Sequence, residues 1–171
     1  KDIISPMEII FLRHAPAGER EDWARGGRPD SERPLTMDGR KRAREAAKGL
    51  AKFIESADLV ATSPWTRAKE TAEIAAKALG APLVESNFLL PHRSPASLAG
   101  WMSGLQGERV ILVGHEPHLS KVISWLMMGS ASRSLVGLKK AQALMLETKK
   151  AAAGSAVLAW SLPPRALRRL S

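Results

Sequence analysis

The stretch Ile9-Ile10-Phe11-Leu12-Arg13-His14-Ala15-Pro16 decides how the chain is interpreted. Four consecutive large hydrophobic residues, soon followed by a proline that cannot continue a hydrogen-bonded ladder, are typical of a strand that is buried on both faces. We expect this strand to end near Arg13. Because a buried arginine needs a negative partner, the end of the strand must either open to solvent or face an anion.

Outward from this strand, short apolar segments alternate with segments of helical spacing. The apolar segments predict strands at residues 58–62, 83–85, 110–113, 143–147 and 156–162, and the helical spacing is found at residues 37–54, 68–79, 98–105 and 119–126. This alternation favours an α/β fold, a single three-layer α/β/α domain with a mostly parallel central sheet. The last two strands are predicted to form an antiparallel edge.

Three segments carry no helical or strand pattern. Residues 17–34 and 86–97 are rich in charged residues, glycine or proline, and they predict long surface loops. Arg165, Arg168 and Arg169 follow two prolines and are interpreted as a basic tail. We expect the domain to span residues 7–171, and we interpret residues 1–6 as an expression remnant outside the fold.

The composition narrows the class of protein. The 171 residues carry a formal net charge of +9, which favours anionic partners. The absence of cysteine excludes disulfides, thiolate metal sites and cysteine nucleophiles, and it is compatible with the cytoplasmic location that we expect. No apolar run approaches the roughly 20 residues of a membrane helix, so no membrane partner is expected. Nothing in the sequence indicates an oligomeric state.

Three of the predicted strands are followed by basic or hydroxyl side chains. The first strand ends at Arg13 and His14, the second is followed by Ser63 and Arg67, and the 110–113 strand is followed by His115. Because ligands of such sheets bind outside the carboxyl ends of the strands, we expect these side chains to meet in one crevice. Two arginines and two histidines around one point suit a tetrahedral oxyanion such as phosphate.

These motifs resemble those of a known enzyme family. Leu12-Arg13-His14-Ala15, Ser63-Pro64-Trp65-Thr66-Arg67-Ala68 with Thr71, and Val113-Gly114-His115-Glu116-Pro117 are similar to the histidine phosphatase superfamily, the phosphoglycerate-mutase-like group. The segments 33–36 and 90–92, with Gly39, resemble most its SixA-type phosphohistidine phosphatase branch. Ala15 departs from the glycine that is usual in the family, and its methyl group is expected to crowd a backbone that must approach phosphate.

The resemblance implies a role for each residue of the crevice. His14 is the nucleophile that accepts the phosphoryl group, and Arg13, Arg67 and His115 bind its oxygens. Ser63 and His92 are expected to contact the substrate as well. The implied activity is that of a metal-independent phosphatase without a cofactor. Its implied partner is a histidine-phosphorylated protein of a phosphorelay, and phosphate ion is expected to bind at the site.

The general acid is not placed by the resemblance. The family often carries a glutamate after the helix of Arg67, whereas Phe88-Leu89-Leu90-Pro91-His92 offers none there, and Glu85, Glu116 and His92 remain candidates. Phosphohistidine leaves as an imidazole that can be protonated before cleavage, so a missing acid favours a phosphoramidate substrate.

Other interpretations remain open. One is a small-molecule phosphomonoesterase that uses the same site, and another is a noncatalytic module that binds phosphate or polyanions. A metal site at His115-Glu116-Pro117-His118 is disfavoured because proline interrupts the helical placement of such ligands. The basic tail lacks interleaved aromatic residues, so a specific nucleic-acid surface is not expected.

Overall fold

A six-stranded sheet forms the centre of the molecule in a computed structural model that describes residues 6–171. Residues 1–5, most of the segment interpreted above as a remnant, lie outside the described residues. The spatial order of the strands is β3-β2-β4-β1-β5-β6. Their bounds are β1 Met7–Arg13, β2 Leu59–Thr62, β3 Leu83–Glu85, β4 Arg109–Gly114, β5 Ala143–Thr148 and β6 Val157–Leu162.

The strand directions confirm the predicted architecture. The strands β3, β2, β4 and β1 run parallel, β5 pairs antiparallel with β1, and β6 pairs antiparallel with β5. Six α-helices accompany the sheet in the described part of the chain. They are α1 Arg20–Arg25, α2 Met37–Ile54, α3 Thr66–Leu79, α4 Pro95–Met102, α5 His118–Met128 and α6 Pro164–Leu170.

The two faces of the sheet bury separate apolar layers. Along β1, Ile10 and Leu12 pack with α2, α3 and α6, whereas Ile9 and Phe11 pack with α4 and α5. This alternation explains the continuous apolar run, because every residue of a doubly covered parallel strand faces a layer of helices. The parallel strands consequently end at one edge of the sheet, where the side chains that follow them meet.

Local signals fix the start of one long helix and the end of another. The Thr36 hydroxyl accepts a hydrogen bond from the backbone N–H of Gly39 at 2.9 Å, which caps the first turn of α2. Gly80 ends α3 in the left-handed conformation, with φ of 63°, where a residue with a side chain is disfavoured. No helix within residues 6–171 is long and apolar enough to span a bilayer.

The prediction of one long loop over residues 17–34 was wrong. The segment contains α1 and a 3₁₀ turn, Asp30–Glu32. Because α1 has six residues and buries none of them, it leaves no apolar period in the sequence. It is held instead by the Trp23 indole, which donates to the Pro29 carbonyl at 2.9 Å and lies 3.4 Å from the Arg28 guanidinium.

Two other irregular segments also contain helices. Residues 86–97 contain the 3₁₀ turn Asn87–Leu89 and the first residues of α4. The helix α4 begins here because Ser94 caps it by accepting a hydrogen bond from the Ser97 N–H at 3.2 Å. The basic tail is α6, which packs on α2 through Leu167, a fully buried residue. A single apolar contact residue in a seven-residue helix gives too little pattern to be recognised.

Candidate active site

The side chains that follow β1, β2 and β4 meet in one cleft at the carboxyl edge of the sheet. His14, Arg67 and His115 line it together with Arg13, the last residue of β1. The cleft has a volume of about 440 Å³, and we call it the central cleft. Its further lining includes Arg20, Asp30, Arg33, Trp65, Glu116 and Lys140.

The ring of His14 is held by hydrogen bonds at both of its nitrogens. Its Nδ1 lies 2.8 Å from the carbonyl oxygen of Ala15, an acceptor that requires Nδ1 to carry the proton. The Nε2 atom then carries a lone pair, and it accepts a hydrogen bond from Arg67 Nε at 3.2 Å. Burial, and secondarily the nearby arginines, lower the pKa of His14 to about 3, so the imidazole is neutral near pH 7.

The Arg67 guanidinium is fixed on three sides. Besides its bond to His14, it donates from Nη1 to the Asp30 carbonyl at 2.8 Å and from Nη2 to the Asp30 carboxylate at 3.2 Å. Arg33 donates to the other oxygen of that carboxylate at 2.8 Å. Burial alone would raise the pKa of Asp30, but the Arg33 hydrogen bond and the two guanidinium charges lower it, so Asp30 stays ionised.

Several buried polar atoms of residues that line the central cleft have no hydrogen-bond partner within residues 6–171. Among the described residues, Arg13 Nε, His115 Nδ1 and Glu116 Oε1 are buried without a hydrogen-bond partner, and all three residues line the central cleft. Such orphaned groups cost free energy of roughly 1–3 kcal/mol each. Burial lowers the pKa of the Arg13 guanidinium, because its charge is incompletely compensated. A bound oxyanion would compensate this charge.

The comparisons with known proteins agree with this geometry. The sequence profile of the histidine phosphatase superfamily (branch 1) matches residues 9–90. An uncharacterised protein of Picosynechococcus sp. is 34% identical over 139 residues, which cover 79% of this chain and 81% of that protein. The chain belongs to the histidine phosphatase superfamily.

Solved structures show the fold of this superfamily member. A protein histidine phosphatase SixA complexed with tungstate superposes with a TM-score of 0.76 at 20% identity, covering 93% of this chain and 98% of that chain. A mycobacterial glucosyl-3-phosphoglycerate phosphatase superposes with a TM-score of 0.67 at 16% identity, covering 90% of this chain and 97% of that one. The same fold therefore occurs in proteins named for different substrates.

In this histidine phosphatase, Ser63 lies behind the central cleft rather than in it. It is fully buried, and its Oγ lies 2.8 Å from His115 Nε2. The same oxygen accepts a hydrogen bond from the Trp65 N–H at 3.3 Å, so its own proton is free to point at the imidazole. This pattern favours a proton on His115 Nδ1, the atom that lacks a partner. Ser63 thus positions His115.

Burial also sets the charge of His115. Desolvation, with a further contribution from His14 and Arg67, lowers the pKa of His115 to about 2. The rings of His14 and His115 are 5.3 Å apart, and Trp65 contacts His115 edge-on at 5.0 Å between centroids. A neutral His115 can donate a hydrogen bond from Nδ1, and it does not repel the neighbouring guanidinium groups.

Two residues that were expected near the substrate or the leaving group lie elsewhere. His92 is exposed and does not line the central cleft, although its neighbour Pro91 does. Glu85, a candidate acid, is half exposed at the end of β3, forms an ion pair with Lys69 at 2.5 Å and does not line the cleft either. Tertiary packing decides where these two side chains lie, and the spacing of residues in the sequence does not show it.

Glu116 is the candidate acid that the fold brings to the cleft. Its Oε2 accepts from the Ser120 hydroxyl at 2.5 Å, while Oε1 is buried without a partner. Burial raises the pKa of Glu116, and the Ser120 hydrogen bond and the Arg13 charge oppose this rise. A carboxyl group with a raised pKa beside an anion site is suited to donating a proton.

Ala15, the departure from the family glycine, does not crowd the cleft, and the expectation that it would was wrong. Its side chain is fully buried in the apolar layer under α2 and α3 and does not line the central cleft. Its N–H donates to the Thr71 hydroxyl at 3.1 Å, which in turn donates to the Arg67 carbonyl at 2.7 Å. The methyl group therefore points away from the anion site.

Asp30 was not identified from the sequence, and Arg33 was recognised only as part of the 33–36 segment that resembles the SixA-type branch. They lie in the segment that was predicted as a loop, and Arg33 is anchored by its bond to the Gly18 carbonyl at 2.5 Å. Asp30 lies in the central cleft with four arginines, Arg13, Arg20, Arg33 and Arg67. This arrangement exists only because the segment of residues 17–34 folds over the carboxyl ends of the strands. Within residues 6–171, no group of three or more histidine, cysteine, aspartate and glutamate side chains is placed to hold a metal ion.

Proposed function

We propose that the protein is a metal-independent phosphatase that hydrolyses phosphohistidine on a protein, through a phosphoryl intermediate on His14. The observation that carries this proposal is the orientation of the His14 ring, whose Nδ1 is bound to the Ala15 carbonyl while Nε2 keeps its lone pair. A neutral imidazole can attack phosphorus without first losing a proton.

In the first step, the phosphoryl group replaces the hydrogen bond between Arg67 and His14. The Nε2 atom of His14 forms a bond to phosphorus as the bond from phosphorus to the leaving nitrogen breaks. The substrate imidazole leaves as a neutral ring because it carries its own proton. Arg13, Arg67 and His115 stabilise the charge on the transferring oxygens, which is the largest contribution that a protein makes to phosphoryl transfer.

In the second step, a water molecule attacks the phosphorus of the intermediate. The bond between phosphorus and His14 Nε2 breaks, and inorganic phosphate leaves after the water has lost its proton to solvent or to the phosphate itself. The hydrogen bond from Nδ1 to the Ala15 carbonyl, 2.8 Å long, stabilises the positive charge that the ring carries while it is phosphorylated. His14 returns to its neutral state.

The likeness to a protein histidine phosphatase that binds tungstate supports both the oxyanion site and the phosphohistidine substrate. A second candidate function is favoured by Glu116. A protonated Glu116 would supply the acid that an alkyl phosphomonoester requires for its alkoxide to leave, and the fold is shared with a phosphatase of a phosphorylated sugar acid. The sequence alone had placed no acid in the cleft.

A substrate panel separates the two functions. We expect kcat/KM for phosphohistidine to exceed that for a sugar phosphate by about 10²–10⁴-fold, the usual contribution of general acid catalysis, with an aryl phosphate between them. Chelators should leave these rates unchanged. The phosphomonoesterase function would be favoured instead if the protein hydrolysed sugar phosphates as fast as phosphohistidine. In that case Glu116→Gln should lose the activity on sugar phosphates, and the Glu85→Gln control should retain it.

A further inference from the structure

A second depression lies beside the central cleft and carries six cationic side chains. It has a volume of about 620 Å³, and we call it the basic groove, defined by Arg13, Arg42, Lys139, Lys140, Arg165 and Arg168. Arg13 and Lys140 line the central cleft as well, so the two depressions lie next to each other. A ligand that places a phosphoryl group at His14 can therefore extend into the groove.

Most of the charges of the basic groove have no carboxylate partner within the described residues. No carboxylate lines it. Among the described residues, Arg42 alone of the six forms an ion pair, with Asp38 at 2.7 Å, and both of those side chains are more than half exposed. Such exposed pairs contribute little to stability. The groove consequently presents a local excess of positive charge next to the catalytic centre.

The backbone that carries these side chains is fixed. The helix α6, which supplies Arg165 and Arg168, packs on α2 so closely that a Cβ atom on Gly49 would lie 1.9 Å from the Leu167 carbonyl oxygen. Only glycine permits this approach. Pro163 and Pro164 contribute rigid apolar walls beside the arginines. The positive charge is thus built into a packed element and does not belong to a flexible tail.

The side chains that line the basic groove indicate which kind of anion it can bind. Six cations exceed what one additional phosphate group requires, and no aromatic side chain lines the groove as a stacking platform for nucleic-acid bases. Arginine and lysine side chains that are exposed on three separate elements suit carboxylates spread along a protein surface. Such complementarity accelerates association and lowers KM without changing the chemical step.

We propose that the basic groove binds a carboxylate-rich segment that flanks the phosphorylated histidine of the protein substrate. This inference rests on the proposed function, because it assumes that the phosphoryl group at His14 comes from a protein. It assigns substrate selection to α6 and to the turn at Lys139 and Lys140, outside the residues that contact the transferred phosphoryl group.

The test uses two phosphohistidine peptides, one flanked by glutamates and the other by glutamines. The double variant Arg165→Ala/Arg168→Ala removes two exposed cations that do not line the central cleft. The matched control, Lys149→Ala/Lys150→Ala, removes the same charge from exposed residues that follow β5 at the opposite edge of the sheet.

For the glutamate peptide, the groove variant should raise KM about five- to tenfold at low salt, since two exposed charge pairs are lost, and leave kcat within about twofold. The glutamine peptide and the control variant should show no such change, and about 0.5 M salt should remove the difference between the peptides. Equal effects on both peptides, or equal effects of both variants, would overturn the proposal.

Binding of the unphosphorylated glutamate peptide, followed by fluorescence anisotropy, separates this proposal from the proposed function. If no phosphohistidine peptide is hydrolysed but the glutamate peptide still binds through Arg165 and Arg168, the function fails and the assignment of the groove stands. If inorganic polyphosphate or single-stranded DNA binds through these arginines while the glutamate peptide does not, the assignment of the groove is wrong.

Discussion

The central cleft and the basic groove carry charge of the same sign, but they differ in how that charge is held. In the cleft, Arg67 is 4% exposed and donates to His14 and Asp30 with all three of its nitrogens. In the groove, Arg165 and Arg168 are exposed and form no ion pair within the described residues. Fixed charge at a reacting centre lowers a barrier, whereas free charge at a surface attracts a partner.

A charge-conserving substitution should separate the two regions most strongly. We expect Arg67→Lys to lower kcat/KM by about 10²-fold, because an ammonium group cannot donate to His14 and to Asp30 in the forked geometry. Arg165→Lys keeps a cation at an exposed position and should change kcat/KM by less than about twofold. Steady-state kinetics on a phosphohistidine substrate measure both. A loss of less than about twofold in Arg67→Lys as well would show that charge alone, not its geometry, matters in the cleft.

A lower pH should change the charge of residues in and around the cleft but not in the groove, where arginine and lysine are the only titratable residues. Burial lowers the pKa of His118 to about 4, and its two ring nitrogens are buried without a partner. The unfolded chain takes up a proton on this residue near its usual pKa of about 6.5, whereas the folded protein does not. The free energy of unfolding therefore decreases as the pH falls below about 6.5, until it levels near the folded pKa.

At pH 5, His118 alone should account for a loss of about 2 kcal/mol in the free energy of unfolding. His14 and His115, whose pKa values are lowered to about 3 and about 2, add to the loss in the same direction. Urea unfolding at pH 7.5 and pH 5 measures the difference, and His118→Gln should make it smaller. An unfolding free energy that stays constant over this range would contradict the burial of these histidines as neutral rings.

The smallest expected effect concerns Ala15, which lies between the cleft and the apolar layer. Ala15→Gly removes a buried methyl group and should lower the free energy of unfolding by about 1 kcal/mol. Because this methyl group does not line the central cleft, kcat/KM should stay within about twofold. A large gain in activity would instead show that the alanine crowds the phosphoryl group.

The sequence predicted the sheet and the four residues Arg13, His14, Arg67 and His115 for physical reasons that are local. A strand buried on both faces needs an unbroken apolar run, and the carboxyl ends of parallel strands meet at one edge. The side chains after β1, β2 and β4 could therefore be assigned to one cleft before the structure was known. Their chemical roles stay predictions.

What could not be predicted depends on non-local contacts. Asp30 reaches Arg67 across 37 positions of sequence, and its segment has no apolar period that would reveal α1 or the turn after it. The helix α6 was mistaken for a tail because Leu167, which packs against a glycine on α2, is its only buried residue. Ser63 was assigned to the substrate, although its hydroxyl contacts His115, because spacing does not show which way a side chain points.

The covalent step on His14 is tested most directly by trapping the phosphorylated protein. Rapid acid-free quenching into denaturant with radiolabelled phosphohistidine substrate, followed by proteolysis and mass spectrometry, should place an acid-labile, alkali-stable phosphate on His14. The variant His14→Ala should trap none, and its turnover should fall by at least about 10⁴-fold while its circular dichroism spectrum is unchanged. The exposed His92→Ala control should trap the label as the wild type does. An acid-stable adduct, label on another residue, or full turnover in His14→Ala would contradict a phosphoryl intermediate on His14.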